Sequence, residues 1–438
     1  MAVPLRRTAT SGKSIRRGRG AVTGPTRLLV IGNSLSRRVI HRIAFACSGD
    51  RRGVRVTLVA ETFLPAVNGV VNSVIRVAGA LADRGHEPVV VAPSGSAFQA
   101  GRHVVQVVRV PSIAVPGYRG LRMARPGLDL VPVLRELSPQ VVHLASPAVL
   151  GDAAVRAANV LDAPSVAVFQ TDLSGFLRRY HLRVAGPALW RWLRRLHNSA
   201  DLTLVPSSTS AYQLRRHGIE TLAMWPRGVD DELFHPSRRD EELRASLTGG
   251  SLGTILVGYV GRLAAEKRIE ALAPVTRLPG VSVVVVGDGP RRQRLTGLMP
   301  VARFLGFRRG EELARIDASL DLLVQPGAHE TFCQVVQEAL ASGVPVVTAA
   351  SGGPLDLVRH GENGWLWAGG KPALLAAQVA AIREDRAGLT AAQSCARDSV
   401  VGRTWDGVVD RLLDYYADVL AARAGVVRDL SQMRGRAS

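Results

Sequence analysis

Four side chains in the second half of the chain could hold a charged, hydroxyl-rich ligand: Arg262, Lys267, Glu330 and Glu338. Carboxylates suit neutral hydroxyls, because each oxygen accepts hydrogen bonds. Thr331 followed three residues later by Gln334 reads as a capping box that starts a helix near Phe332. Gly343 should end that helix in the left-handed conformation, and Pro345 prevents its resumption. Val335, Val336, Ala339 and Leu340 form its buried stripe. With about 1.5 Å of rise per residue, the two carboxylates stand roughly 12 Å apart along the axis. A sugar, a diphosphate and a ribose laid end to end cover a comparable span. The first amides, at Phe332 and Cys333, and the positive end of the dipole suit a diphosphate. On this reading Glu330 takes sugar hydroxyls and Glu338 takes ribose hydroxyls. Taken alone, such a pair reads more readily as one acid favoured by the dipole and one solvated side chain.

Arg262 and Lys267 change that balance. They follow the apolar run Ile255–Val260, where a parallel sheet presents its ligands, and two cations there could neutralise a leaving diphosphate. No Asp-x-Asp pair is placed to clamp a metal, so the cations would do the work that Mg²⁺ does elsewhere.

The elements that must position these groups alternate strand and helix. Val54–Ala60, a glycine-containing loop, a helix from Val70 to Arg84 and a strand Pro88–Ala92 make a first βαβ unit. Its loop Asn68-Gly69-Val70 could bring backbone close to a phosphate. Further strands are expected at 104–110, 140–144, 165–170 and 202–206, with helices at 129–137, 149–161, 187–200 and 208–217. Asp172 sits in a loop after a buried strand, as either a turn residue or a functional one. Residues 225–253 read as a linker before a second α/β pattern: strands 255–260, 281–286, 302–305, 321–325 and 344–348, with a helix after Lys267 and another at 311–320. Trp405–Ala422 is amphipathic with more apolar surface than a tail needs, so it should fold back across the first half. The fold class is thus α/β, two Rossmann-like doubly wound domains facing a cleft, with a C-terminal helix crossing back. The divisions fall at 1–53 (basic extension), 54–225, 226–404 and 405–438.

Composition narrows the function classes. The chain of 438 residues has ample apolar content, yet no run long enough to span a bilayer. Its three cysteines, Cys47, Cys333 and Cys395, have no spacing that suits disulfides or zinc, which points to a reducing compartment. Net charge is +20, but residues 1–53 hold twelve of the 56 Lys and Arg against one acid, Asp50. This Arg-, Ser- and Gly-rich head is expected to be disordered. A nucleic-acid binder is therefore disfavoured: the charge is concentrated in the head and no base-stacking motif is present. Between Phe176 and His197, arginines including Arg178, Arg179 and Arg183 lie among aromatic residues, which suits an anionic membrane surface or a solvated helix face.

Gly261-Arg262-Leu263-x-x-Glu266-Lys267, Val286-Gly287-Asp288-Gly289, and Glu330 to Glu338 continuing into Ala339-Leu340-Ala341-Ser342-Gly343-Val344-Pro345-Val346 resemble the retaining GT-B glycosyltransferases of family 4. The resemblance spans roughly Val54 to Leu420. Glu61-Thr62-Phe63-Leu64-Pro65 with Asn68-Gly69-Val70, and Val142 to Pro147, are similar to the branch that acts on lipids. Gln170-Thr171-Asp172 and Glu330-Thr331-Phe332-Cys333-Gln334 are most like its GDP-mannose-dependent α-mannosyltransferases, although other members often have His at Gln170 or Asp172 and Gly at Cys333.

That resemblance implies a nucleotide-sugar donor, GDP-mannose, and no separate cofactor or metal. Gly69 would approach the diphosphate, Arg262 and Lys267 bind it, Glu330, Thr331, Phe332 and Cys333 hold the sugar and phosphate, and Glu338 the ribose. The base would lie near Asp288 and Arg308, with Asp172 at the reaction centre. The acceptor would be a lipid or glycolipid, such as a phosphatidylinositol mannoside or glucuronosyl diacylglycerol, reached from the cytoplasmic face of the membrane. The alternatives are a UDP-sugar donor or a nucleotide-sugar epimerase on the same architecture.

Overall fold

The computed structural model describes residues 53–66, 68–114, 122–171, 186–251 and 253–425. The basic head up to Arg52, Asp172, Arg178, Arg179, Arg183 and residues 426–438 lie outside the described residues.

Two parallel sheets carry the fold. The first runs β1 (Arg55–Val59), β2 (Glu87–Ala92), β3 (Phe98–Ala100), β4 (His103–Arg109), then a separate ribbon β5 (Ser112–Ala114) with β6 (Arg122–Ala124). It continues with β7 (Val141–Leu144), β8 (Ser165–Val168), β9 (Leu202–Val205) and β10 (Leu222–Met224). In space the order is β10-β9-β8-β7-β1-β2-β4-β3, parallel except for β3 against β4. The second sheet comprises β11 (Ile255–Val260), β12 (Val281–Val286), β13 (Arg303–Gly306), β14 (Leu322–Gln325), β15 (Val346–Ala349) and β16 (Gly364–Trp367). Its order is β13-β12-β11-β14-β15-β16, parallel throughout. Every residue of β7, β8, β11, β14 and β15 is buried, which is why these strands read as unbroken apolar runs rather than as alternation.

Each sheet reverses its winding at one gap: between β1 and β7 in the first, and between β11 and β14 in the second. Loops leaving the strand ends at such a gap diverge and leave a crevice for ligands. The first gap opens between Glu61–Gly69 and Ala145–Ala148, the second between Gly261–Lys267 and Pro326–Cys333.

Helix α1 (Gly69–Asp83) starts where Asn68 caps it, its side chain accepting from the amides of Val70 and Val71 at 3.0 and 2.9 Å. Helix α2 (Gln334–Ala341) follows β14, and Gly343 ends it at φ 75° as expected. Helix α3 (Trp405–Arg423) returns to the first sheet, burying Val408, Val409, Leu412, Tyr416, Val419 and Leu420 in the core around α1. Each such side chain contributes on the order of 1.5–3 kcal/mol. Two polar contacts fix its register: the Trp225 indole donates to the Val408 carbonyl at 2.9 Å, and the Tyr416 hydroxyl meets His143 Nδ1 at 2.8 Å. Burial pulls the His143 pKa down to about 3, so the ring stays neutral.

Three local expectations fail. The segment after Lys267 is not one helix but two 3₁₀ turns, Ile269–Leu272 and Val275–Arg277, because Arg268 is left-handed at φ 53° and Pro274 offers no amide. The linker contains a helix, Glu241–Thr248, capped by Asp240. Finally, α2 begins at Gln334 with Cys333 at φ 78° before it, so the capping box at Thr331 does not form. The Thr331 hydroxyl bonds the Gln170 carbonyl at 2.9 Å instead, and the Gln334 amide reaches the Gly228 carbonyl at 3.0 Å. Partners from distant segments outcompete the local cap.

Candidate active site

Lys267 leaves β11 and Glu330 leaves β14, so the gap between those strands brings them face to face. Lys267 Nζ lies 2.5 Å from Glu330 Oε1, both side chains partly buried. Burial disfavours the ammonium, but the Glu330 carboxylate outweighs it and the Lys267 pKa is raised. A partly buried cation held by a carboxylate, a group able to accept hydroxyls, is a pair that an anionic sugar ligand could divide between its phosphate and its sugar. Arg262, on the same loop, is exposed, and its carbonyl accepts from the Tyr259 hydroxyl at 3.1 Å.

Close backbone contacts shape this crevice. Gly287 has φ 132°, and a Cβ there would stand 1.9 Å from the Gly261 carbonyl oxygen, so the loops after β11 and β12 can approach this closely only with glycine at that position. Behind Glu330, the Gly353 amide donates to the Glu330 carbonyl at 2.7 Å, and a Cβ on Gly353 would sit 2.3 Å from Phe332 Cα. The sequence reading missed Gly353; the run Ser351-Gly352-Gly353 after β15 was its available signal. Phe332 and Cys333 are buried at the start of α2, and burial pushes the Cys333 thiol up. Asp288 is exposed, its side chain accepting from the Gly289 amide at 2.7 Å, and Arg308 pairs with Glu312 at 2.6 Å.

Glu338 is not beside the Lys267–Glu330 pair. It lines a separate cavity of about 240 Å³ with Gly69, Asn72 and Arg76 of α1, Arg227 and Asp230 of the linker, Gln334 and Trp405. Burial raises its pKa to about 7, against the opposing pull of Gln334, Arg76 and Arg227. Across this cavity Arg76 pairs with Asp230 at 2.9 Å. The structure thus joins Gly69 with Glu338 in one cavity, and Lys267 with Glu330 in the loop that precedes α2.

The first half of the chain meets the segment after β15 through a second set of bonds. The Ser208 amide donates to Asp356 at 2.6 Å and the Thr209 hydroxyl to the Gly352 carbonyl at 3.1 Å. With Thr331 on Gln170, these hold the loops of the two sheets together around the crevice.

Residues 67–233 match the family description "Glycosyltransferase Family 4" and residues 254–385 match "Glycosyl transferases group 1". The chain is 47% identical over 377 residues to a GDP-mannose-dependent α-mannosyltransferase of Mycolicibacterium smegmatis, covering 85% of this chain and 99% of that one. It is 45% identical over 377 residues to the protein of the same name from Corynebacterium glutamicum, covering 84% and 90%. The chain belongs to glycosyltransferase family 4. Its GT-B architecture is shared by sucrose-phosphate synthase from Thermosynechococcus elongatus, with a TM-score of 0.70 at 20% identity over 84% of this glycosyltransferase and 99% of that chain. Among its described residues, no helix is long and apolar enough to cross a membrane.

Proposed function

We propose that this glycosyltransferase moves a mannosyl group, with retention, from GDP-mannose to a lipid or glycolipid acceptor. The observation that carries the reading is the Lys267–Glu330 pair across the β11/β14 gap, in a chain 45–47% identical to GDP-mannose-dependent α-mannosyltransferases. When donor enters, the Lys267 ammonium and Arg262 turn to the diphosphate, and Glu330 is released to the sugar hydroxyls. Buried charge of this kind stabilises a developing phosphate without reorganisation and takes the place of a metal ion. Glu338 holds the ribose hydroxyls, and the base lies by Asp288 and Arg308. The bond between the anomeric carbon and the phosphate oxygen breaks, the acceptor oxygen bonds to that carbon on the same face, and its proton passes to the leaving phosphate oxygen. Asp172, outside the described residues, is assigned to the reaction centre from the sequence.

The enzyme works as a peripheral protein on the cytoplasmic face of the membrane, where nucleotide sugars are found. Arg191, Arg194 and Arg195 are exposed on the helix Gly186–Ser199, continuing the basic stretch of Arg178, Arg179 and Arg183. Each arginine near an anionic surface is worth about 1 kcal/mol, so attachment should be reversible and released by salt.

Incubation of the purified chain with labelled GDP-mannose and a membrane lipid extract tests the reading. The expected product is an α-linked mannolipid whose formation survives EDTA. Release of free mannose alone, interconversion of the nucleotide sugar, or use of a UDP-sugar in preference would overturn it.

A further inference from the structure

Arg227 lies where the chain crosses from the first sheet to the second, in a stretch that reads from sequence as a polar linker. A guanidinium is costly to bury, and it is kept inside only where its hydrogen bonds are met. Here it is buried, 9% exposed, and its partners are neutral. One terminal nitrogen donates to the Gly69 carbonyl at 2.7 Å and the other to the side-chain carbonyl of Gln170. Burial pulls its pKa down to about 10 against the attraction of Glu338, so it stays charged at neutral pH.

Those partners sit on separate loops of the first sheet, Gly69 after β1 and Gln170 after β8. The Gln170 amide goes on to donate to the Ala145 carbonyl, after β7, at 2.5 Å. From the other side α2 takes hold of the same short segment. Gln337 donates to the Arg227 carbonyl at 2.9 Å, and Gln334 to that of Gly228 at 3.0 Å. The Gln170 backbone carbonyl accepts from Thr331 at 2.9 Å, next to Glu330. One residue therefore stands between three loop ends of the first sheet and the helix that carries Glu338 and follows the loop of Glu330.

The geometry points to Arg227 as a positioning residue for glycosyl transfer: its forked guanidinium sets the Gly69 and Gln170 loops in register with α2 across the cleft. This rests on the transfer reading above. An arginine is required because its planar fork reaches two acceptors at a fixed angle, whereas a lysine is a single point charge. Misplacement of reacting groups by about 1 Å can cost on the order of 100-fold in rate. A chain that binds its donor normally but holds these loops out of register should therefore turn over slowly.

The test compares Arg227→Lys, Gln170→Ala and the double variant in the full-length chain. Each is measured for mannosyl transfer from GDP-mannose to membrane lipid extract, for GDP affinity by calorimetry, and for melting temperature. Arg227→Lys should lower kcat by about 30-fold or more with the GDP Kd within about three-fold of the unaltered chain. Gln170→Ala should lower kcat in the same way, and the double variant should be no slower than the worse single one, since both cut one bridge. Unchanged kcat per folded molecule with a lowered melting temperature would make Arg227 purely structural and overturn the proposal. A fall in GDP affinity matching the fall in turnover would make it a donor ligand and overturn it as well. If Arg227→Lys does not fold, Gln170→Ala decides alone, and an unchanged kcat there counts against the proposal. The unaltered chain in the same assay reports on the transfer reading itself, so the two failures are distinguishable.

Discussion

The two sheets have the same kind of gap, and each gap is bridged by a carboxylate, but the bridges differ in kind. In the first sheet Glu61, after β1, spans to the helix Val149–Val160 that follows β7 and accepts from the amides of its N-terminal turn, those of Ala148, Leu150 and Gly151, at 2.6, 3.1 and 2.8 Å. Desolvation raises its pKa despite those three bonds. Backbone amides cannot be exchanged for a ligand without remaking that turn, so this bridge is scaffold. In the second sheet the partner of Glu330 is the flexible Lys267 side chain, which a phosphate can draw away. One topology thus provides a fixed edge in the first half and an exchangeable charge pair in the second.

The sharpest way to break that contrast is to remove the exchangeable charge. Lys267→Ala should depress mannosyl transfer by about 100-fold or more, as expected for loss of one preorganised charge-stabilising donor. Steady-state turnover with and without EDTA checks it. A mild loss in the variant, together with collapse in EDTA, would show that a metal carries the diphosphate.

The fixed bridge should respond in stability rather than in donor binding. Glu61→Ala leaves three amides at the start of the helix Val149–Val160 without their acceptor and should destabilise the fold by about 2–3 kcal/mol. Denaturant unfolding should show that loss while GDP affinity, which the proposal places mainly in the second half, stays unchanged. Weakened GDP binding in this variant would erase the distinction between the bridges.

A smaller effect concerns Glu338, whose pKa stands at about 7 instead of the ordinary 4.5. Below that value the carboxyl keeps its proton and loses acceptor capacity; above it, both oxygens are free to accept the ribose hydroxyls that the proposal assigns to it. GDP affinity should therefore rise by a few-fold from about pH 6 to about pH 8 and stay flat in Glu338→Gln. The same shift means the folded chain holds this proton more tightly than the unfolded one. The group's contribution to stability accordingly falls as pH climbs from 4.5 to about 7. Calorimetry across that range measures the binding arm.

Much of this was legible in the sequence because buried parallel strands are apolar runs bounded by glycine, and β11 was read to the residue. Lys267 and Glu330 were legible for the same reason, since each follows such a run. What stayed hidden depends on partners far away in the chain. Thr331 and Gln334 have the spacing of a capping box, yet their side chains are claimed by Gln170 and Gly228. Arg227 looks like a solvated linker charge until Gly69 and Gln170 close over it. The short strands β3, β10 and β16 lie at or near sheet edges, where the apolar signal is brief. Glu338 lies only eight residues after Glu330, but the linker and α1 determine which cavity it enters.

The central claim is that the donor is read along α2, the sugar at Glu330 and the ribose at Glu338. Calorimetry with GDP, which lacks the sugar, separates the two roles in a single titration series of the unaltered chain, Glu330→Ala and Glu338→Ala. Glu338→Ala should weaken GDP binding by about 1–3 kcal/mol, whereas Glu330→Ala should bind GDP as the unaltered chain does while losing turnover. Equal losses of GDP affinity in the two variants would contradict the account.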